Sequence, residues 1–275
     1  MMMPPRRHRM TYVSPCVKYM IFLLNFILWL FGCMLMGIGV YAFHDKWQAT
    51  GVRVETILDI ILNISLVLII LGGIVFIVSF AGFIGALREN TCLLKFYSLS
   101  LLIFFLLEMA VAVVGFVFPH AMQSTLEESF TDKIIHSYRD DADLQNLIDF
   151  AQQEFQCCGL SSDGYTDWSK NEYFNCSSPS AEKCGVPFSC CINATEITGN
   201  LINIMCGYGA QELPVAEASK KVWTSGCIEV VRLWAERNLY TIGAVALGVA
   251  LSQLLIINLA KTLEGQIELQ KSGWS

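Results

Sequence analysis

Charge is scarce in this chain. Asp, Glu, Lys and Arg make up 15% of its 275 residues, while 54% are hydrophobic and the mean hydropathy is +0.51. A soluble globular domain carries about 25% charged residues, so a fold exposed wholly to water is excluded. Metal-ligand spacing is missing too. There is no C-x-x-C, and no histidine lies between Cys157 and Cys227, which argues against a zinc site. The 119–238 segment holds only two histidines, His120 and His136, with no serine-centred or metal-binding signature. The reading is therefore of a protein that is not an enzyme and needs no metal or redox cofactor.

The missing charge is concentrated in long runs. No charged residue occurs in 19–43 or 60–87, 239–260 is also free of charge, and 96–118 contains only Glu108. A helix needs about 20 apolar residues to cross the hydrocarbon core. Four transmembrane helices are expected. The first follows Arg6, Arg7, Arg9 and Lys18, as a secretory signal would. Its apolar run is longer than a signal core and no clean small-residue cleavage site follows, so it reads as a retained anchor.

Basic residues orient the spans. The segments 1–18, 88–95 and 261–275 together carry eight Lys/Arg and three Glu, while 119–238 carries eight Lys/Arg and seventeen Asp/Glu. The expected organisation is a cytosolic N-terminus (1–18), a first span (19–43), a small extracellular loop (44–59) and a second span (60–87). A cytosolic loop (88–95), a third span (96–118), a large extracellular loop (119–238), a fourth span (239–260) and a cytosolic tail (261–275) follow. The fold class is an all-α membrane protein with a helical, disulfide-stapled large extracellular loop. An acidic outer loop and short basic inner flanks make nucleic acid an unsuitable partner.

Eight of the eleven cysteines lie in the large loop: Cys157, Cys158, Cys176, Cys184, Cys190, Cys191, Cys206 and Cys227. An even number in an oxidising compartment implies a disulfide framework, and eight cysteines allow 105 connectivities, so spacing alone does not pair them. Two sequons, at Asn175 and Asn193, are expected glycosylation sites and agree with the outer placement. Asn63 also heads a sequon but falls within the second span. Cys16 and Cys92 stand at the cytosolic membrane boundary, where reversible palmitoylation is expected. Cys33, deep in the first span, reads as a small apolar residue.

Small residues repeat every seven positions on two spans. Asn25, Gly32 and Gly39 mark the first, and Ser65, Gly72, Ser79 and Ala86 the second. Such stripes let helix backbones approach closely, so spans one and two are expected to pack along them. Asn25, Glu108 and Gln253 are polar positions inside spans. With no second ionisable residue to form a relay, they read as interhelical hydrogen-bond pins or a polar cavity lining rather than an ion path.

In the large loop, 122–138 continues helically from the third span. "DLQNLIDFAQQEF" reads as a second helix with Leu144, Leu147, Ile148, Ala151 and Phe155 on one face, capped by Asp143 and ended by Gly159. Val222, Trp223, Cys227, Val230, Val231 and Trp234 make a further helical face, and that helix is expected to run unbroken into the fourth span. Residues 160–214 lack periodicity and depend on disulfides for order.

Taken together, the residues resemble the tetraspanin family. The resemblance rests on four spans, "CCG" at Cys157–Gly159, "VPFSCC" ending at Cys191, "SGC" ending at Cys227, and "GFIGALRENTCLL" from Gly82. It covers nearly the whole chain. The eight-cysteine loop is similar to a subgroup whose members bind an ADAM-type transmembrane metalloprotease, the sheddase that cuts Notch, and promote its exit from the endoplasmic reticulum, maturation and surface delivery. The resemblance implies pairing of Cys157 with Cys227, Cys158 with Cys190, Cys176 with Cys184, and Cys191 with Cys206. It also implies a helix cone whose cavity can hold a sterol, lined at Asn25, Glu108 and Gln253, with other tetraspanins and membrane lipids as neighbours. Residence is expected at the plasma membrane and in endoplasmic reticulum and endosomal membranes. Phe83 departs from the pattern, standing where the family often has an acylated cysteine. Phe174, Phe188 and Tyr208, in the variable segment, are candidate partner anchors, with filling of the domain's own core as the competing role. Two other functions compete: an organiser of integrins or other receptors without protease selectivity, and a channel or junction former, which the cysteine-free small loop disfavours.

Overall fold

A computed structural model describes residues 13–50, 57–194 and 203–272. The expected basic residues Arg6, Arg7 and Arg9 and Thr195 of the second sequon lie outside the described residues. The elements in chain order are α1 (Pro15–Thr50), α2 (Ile57–Leu62), α3 (Ile64–Leu87), α4 (Thr91–Val117), α5 (Pro119–Ser137), α6 (Ala142–Phe155), α7 (Val215–Ala218), α8 (Cys227–Arg237) and α9 (Leu239–Ser272). Short 3₁₀ turns occupy Gly164–Lys170, Phe188–Cys190 and Ala210–Glu212. Among the described residues there is no named strand, only an isolated antiparallel bridge between Cys191 and Val222. Four helices, α1, α3, α4 and α9, are long and apolar enough to cross a membrane.

Two of the spanning helices outrun the apolar segments. α1 continues through His44, Asp45 and Lys46, and α9 continues past Lys261 to Ser272, where a tail is expected. The extension of α9 is amphipathic by position: Leu263 and Ile267 are buried and Lys271 is exposed. The start of the second span is also corrected. The chain leaves helical geometry at Asn63, which separates α2 from α3.

The chain divides into two compact units. One takes the described residues of 1–53, 65–112 and 243–275, the other those of 54–64 and 113–242. In the first unit, α1 and α3 cross on their small-residue stripes. A Cβ on Gly32 would lie 2.8 Å from the Phe76 backbone nitrogen, one on Gly39 would lie 2.9 Å from the Ser65 carbonyl oxygen, and one on Gly72 would lie 2.7 Å from the Met36 nitrogen. Each is closer than a carbon can stand without movement, so hydrogen is the side chain these backbones admit. Ser65, Ser79 and Ala86 of the same stripe are buried.

Asn25 is 2% exposed and ties three helices. Its Nδ2 donates to the Ile21 carbonyl (2.9 Å) and to Tyr97 Oη of α4 (3.0 Å), and a Cβ on Gly82 of α3 would fall 2.6 Å from its side chain. Phe83 fills the same crossing, with ring centroids 5.4 to 6.2 Å from Phe22, Phe26, Trp29 and Phe80. The residue that departs from the family pattern thus has a packing role.

The α3–α4 turn uses a left-handed Glu89 (φ 51°) followed by Asn90, whose Oδ1 accepts from the Cys92 and Leu93 nitrogens. This caps α4. Around the turn Lys18 pairs with Glu89 (2.6 Å), and Lys271 donates to the Glu89 carbonyl (3.1 Å). Lys95 meets Glu268 (2.8 Å) and Glu264 (3.6 Å), and Lys261 meets Glu264 (3.0 Å). Beneath these ion pairs, Ile21, Ala86, Leu94, Tyr97, Leu263 and Ile267 form a continuous apolar cluster.

Candidate functional site

The second unit carries all four disulfides and the exposed apolar residues of the large loop. It is built from α5, α6 and α8, with the described residues of the non-periodic 160–214 segment bound to them. α6 begins two residues earlier than its apolar pattern suggests. Asp141, not Asp143, is the N-cap, and its carboxylate accepts from the Asp143 (3.0 Å) and Leu144 (3.2 Å) nitrogens. Gln156, not Gly159, ends the helix, in left-handed geometry. Val222 and Trp223 are not helical: Val222 is bridged to Cys191, and α8 starts at Cys227. α8 also stops at Arg237, and a single non-helical residue, Asn238, separates it from α9, which corrects the expected unbroken helix.

The structure pairs Cys157 with Cys227, Cys158 with Cys190, Cys176 with Cys184 and Cys191 with Cys206. The first bond closes a separation of 70 residues, for which the chain-entropy relation gives about 4 kcal/mol. Backbone hydrogen bonds accompany it. Cys158 N donates to the Ser225 carbonyl (2.9 Å), Cys227 N to Gly159 (3.1 Å) and Ile228 N to Leu160 (3.1 Å). Both glycines beside the seam are demanded by close backbone approach. Gly159 has φ +72°, and a Cβ there would sit 2.0 Å from the Gly164 carbonyl oxygen; at Gly226 it would sit 1.8 Å from that of Ser161.

Asp167 fastens the turn that follows. It is fully buried, and its carboxylate accepts from the Leu160 (3.0 Å) and Ser161 (2.7 Å) nitrogens and the Ser161 hydroxyl (2.7 Å). Lys170 stands 3.6 Å away and also meets Asp132 at 3.2 Å. Burial alone would depress the Lys170 ammonium, but its hydrogen bond to Asp132 and the negative charge of Asp167 carry it above its ordinary value.

The core of the unit is aromatic. Tyr138 lies edge-on to Trp168 at 4.7 Å, Trp168 to Phe174 at 5.4 Å, and all three are essentially buried. Arg139 covers Tyr138 and Phe174 at 5.5 and 5.4 Å and pairs with Glu182. Tyr138 Oη donates to Asp149 (2.7 Å), and the Ser189 hydroxyl meets Asp149 (2.6 Å) and Gln152 (2.7 Å). Burial first, and then the charge of Asp149, push the Tyr138 phenol above its ordinary value. This network seats the "PFSC" turn on α6.

Phe174 is therefore corrected from partner anchor to core residue, at 1% exposure. Phe188 and Tyr208 are half-buried. The prominent exposed side chains are others: Ile204 (64%) and Met205 (61%) in the non-periodic segment, Val215 (60%) at the start of α7, and Phe150 (65%) on α6. Leu147, expected in the core, is also exposed. Phe150 had a sequence signal, because it falls off the Leu144–Ile148 stripe; Ile204 and Met205 lie in a stretch without period and had none. Asn175 is half-buried, Asn193 is exposed, and the free cysteines Cys16 and Cys92 are exposed. Among the described residues no hydrogen bond joins Asn25, Glu108 and Gln253. Asn25 spends its amide on Ile21 and Tyr97, Glu108 is half-buried, and Gln253 Oε1 is buried without a partner. No group of three His, Cys, Asp or Glu among the described residues is placed to hold a metal.

Comparison with known proteins gives the same outline. A family model described as the Tetraspanin family matches residues 17–264. The chain is 44% identical to Tetraspanin-33 of Bos taurus over 260 residues, covering 94% of this chain and 88% of that one. It is similarly close to Tetraspanin-33 of Danio rerio (44% over 260 residues, 94% and 89%). Identity to Tetraspanin-5 of Homo sapiens is 42% over 264 residues, covering 95% and 96%.

Proposed function

The chain belongs to the tetraspanin family, and on that premise we propose that its disulfide unit binds an ADAM-type transmembrane metalloprotease. The protein is a multi-pass membrane scaffold and not an enzyme. In the proposed role it promotes exit of the protease from the endoplasmic reticulum, its maturation and its surface delivery, and so regulates ectodomain shedding and Notch signalling. Both termini face the cytosol in this reading, the disulfide unit faces outward, and the plasma membrane is the main residence, with endoplasmic reticulum and endosomal membranes on the route.

One observation carries the reading. Four disulfides frame the non-periodic segment, and Ile204 and Met205 are exposed beside the Cys191–Cys206 bond. Exposed apolar side chains on a preorganised frame are the usual makings of a binding hot spot. Half-buried Phe188 and Tyr208 extend the same segment. A sterol or other lipid between the spans and palmitoyl groups on Cys16 and Cys92 belong to the same proposal. A general organiser of integrins or other receptors is the second reading, favoured by the two exposed cysteines that acylation would use for clustering.

Co-precipitation in mild detergent, followed by mass spectrometry, separates the two. The first reading expects an ADAM-type protease as the dominant partner, lost in Ile204→Ser/Met205→Ser. It also expects immature protease to accumulate when the chain and its paralogues are deleted. Unchanged protease maturation in that deletion, with integrins recovered instead, selects the second.

A further inference from the structure

A shallow cleft of about 730 Å³ opens on the disulfide unit between the end of α5 and the ring closed by Cys176–Cys184. His136, Lys170, Tyr173, Asn175, Ser178 and Pro179 are on its wall. One of these residues, Asn175, begins the sequon Asn175–Cys176–Ser177. Its side-chain amide is held in one orientation: Oδ1 accepts from the Ser177 nitrogen (2.8 Å) and Nδ2 donates to the Ser169 carbonyl (2.7 Å). A primary amide nitrogen carries two hydrogens, so that bond leaves one hydrogen to be replaced.

We propose that Asn175 is glycosylated and that the first sugars of this glycan lie in the cleft against Tyr173, instead of projecting into solvent. In the attachment step Nδ2 attacks C1 of an oligosaccharide carried on a polyprenyl diphosphate. The N–C1 bond forms, the C1–O bond to the diphosphate breaks with its electron pair leaving on the diphosphate, and the proton released from Nδ2 is taken up by the departing diphosphate. The remaining N–H keeps the bond to Ser169.

The wall suits a neutral polyol. Tyr173 is 41% exposed at the rim and offers an aromatic face to the C–H face of a pyranose. Serine hydroxyls and the His136 ring supply donors and acceptors. An anionic ligand suits it less, because Lys170 is already paired with Asp132 and Asp167 and Glu172 stands on the same wall. A sugar held there closes this surface to a protein partner and leaves docking to the apolar residues around Ile204 and Met205. The inference rests on the outward placement of the disulfide unit proposed above.

Full-length protein from animal cells tests it by glycopeptide mass spectrometry and by timed removal of glycans with a peptide amidase, native and denatured. Asn175 is expected to be occupied. Its glycan should be released from native protein about two- to tenfold more slowly than that of Asn193, the factor one aromatic contact supplies. Tyr173→Ala should abolish the difference, and Tyr173→Phe should keep it. Tyr173 lies at the rim, outside the core, and unchanged release at Asn193 in both variants controls for misfolding. Equal native release at the two sites, or a lag that survives Tyr173→Ala, overturns the proposal. A bare Asn175 beside an occupied Asn193 overturns it while sparing the outward placement; bare residues at both overturn the two together.

Discussion

Tyr138 shows how much a single side chain carries in a small domain. Its ring packs between Trp168 and the Arg139 guanidinium, and its hydroxyl reaches the buried Asp149. Tyr138→Phe keeps the ring and removes one hydrogen bond to a carboxylate, for which a loss of about 2 kcal/mol is expected at neutral pH. The loss should change with pH. A phenol whose folded value is raised contributes fully below the unfolded value, about 10, and that contribution fades as pH rises above it. Wild type should therefore lose stability above about pH 10 in a way the phenylalanine variant does not, and the gap between them should narrow. Thermal unfolding of the full chain in detergent at pH 8 and pH 10.5 measures both. A gap that stays constant would assign the alkaline loss to other groups.

At the scale of elements, periodicity decides what a sequence discloses. The α1–α3 crossing was legible because Gly32, Gly39, Ser65 and Gly72 repeat every seven residues, and a period survives without knowledge of the partner helix. The cap of α6 was not: Asp141 and Asp143 both suit the role, and only the backbone turn after Ser137 selects the earlier one. Val222 looks helical by spacing, yet pairing with Cys191 across the disulfide frame draws it into a bridge. Phe174, Ile204 and Tyr208 share one aperiodic segment, where no pattern separates inward from outward side chains. The glycine stripe makes a quantitative prediction. Gly72→Ala places a methyl 2.7 Å from the Met36 nitrogen, whereas a Cβ at Gly37 meets nothing within 4 Å. Overpacking of this kind costs about 1–3 kcal/mol. Gly72→Ala should lower the thermal midpoint in detergent, and Gly37→Ala, one face away on α1, should leave it unchanged or raise it slightly. Equal effects would show that helix propensity, not the crossing, sets the response.

For the molecule as a whole, the two units are stabilised by different physics, and one reagent separates them. The spanning unit has no disulfide: Cys16, Cys33 and Cys92 are free, and its order comes from the glycine stripe, the ring cluster at Phe83 and the ion pairs around Glu89. The other unit holds every disulfide, and the described residues of its 160–214 segment form only short 3₁₀ turns. Each bond is worth about 2–4 kcal/mol against a total domain stability of about 5–15. Losing all four exceeds what the Tyr138–Trp168–Phe174 core can offset. Reduction of the full chain in detergent should thus leave most of the helical circular dichroism, which comes from α1, α3, α4 and α9. It should expose the chain to trypsin after Lys170 and Lys183, with cleavage faster by at least about tenfold, since each 1.4 kcal/mol of lost protection is a factor of ten when cleavage follows the opened population. If Lys170 stays protected in reductant, its ion pairs with Asp132 and Asp167 and the aromatic core hold the turn without the disulfides. The cysteines would then serve the geometry of the partner surface, and partner capture, not protease resistance, would be the property that reduction abolishes.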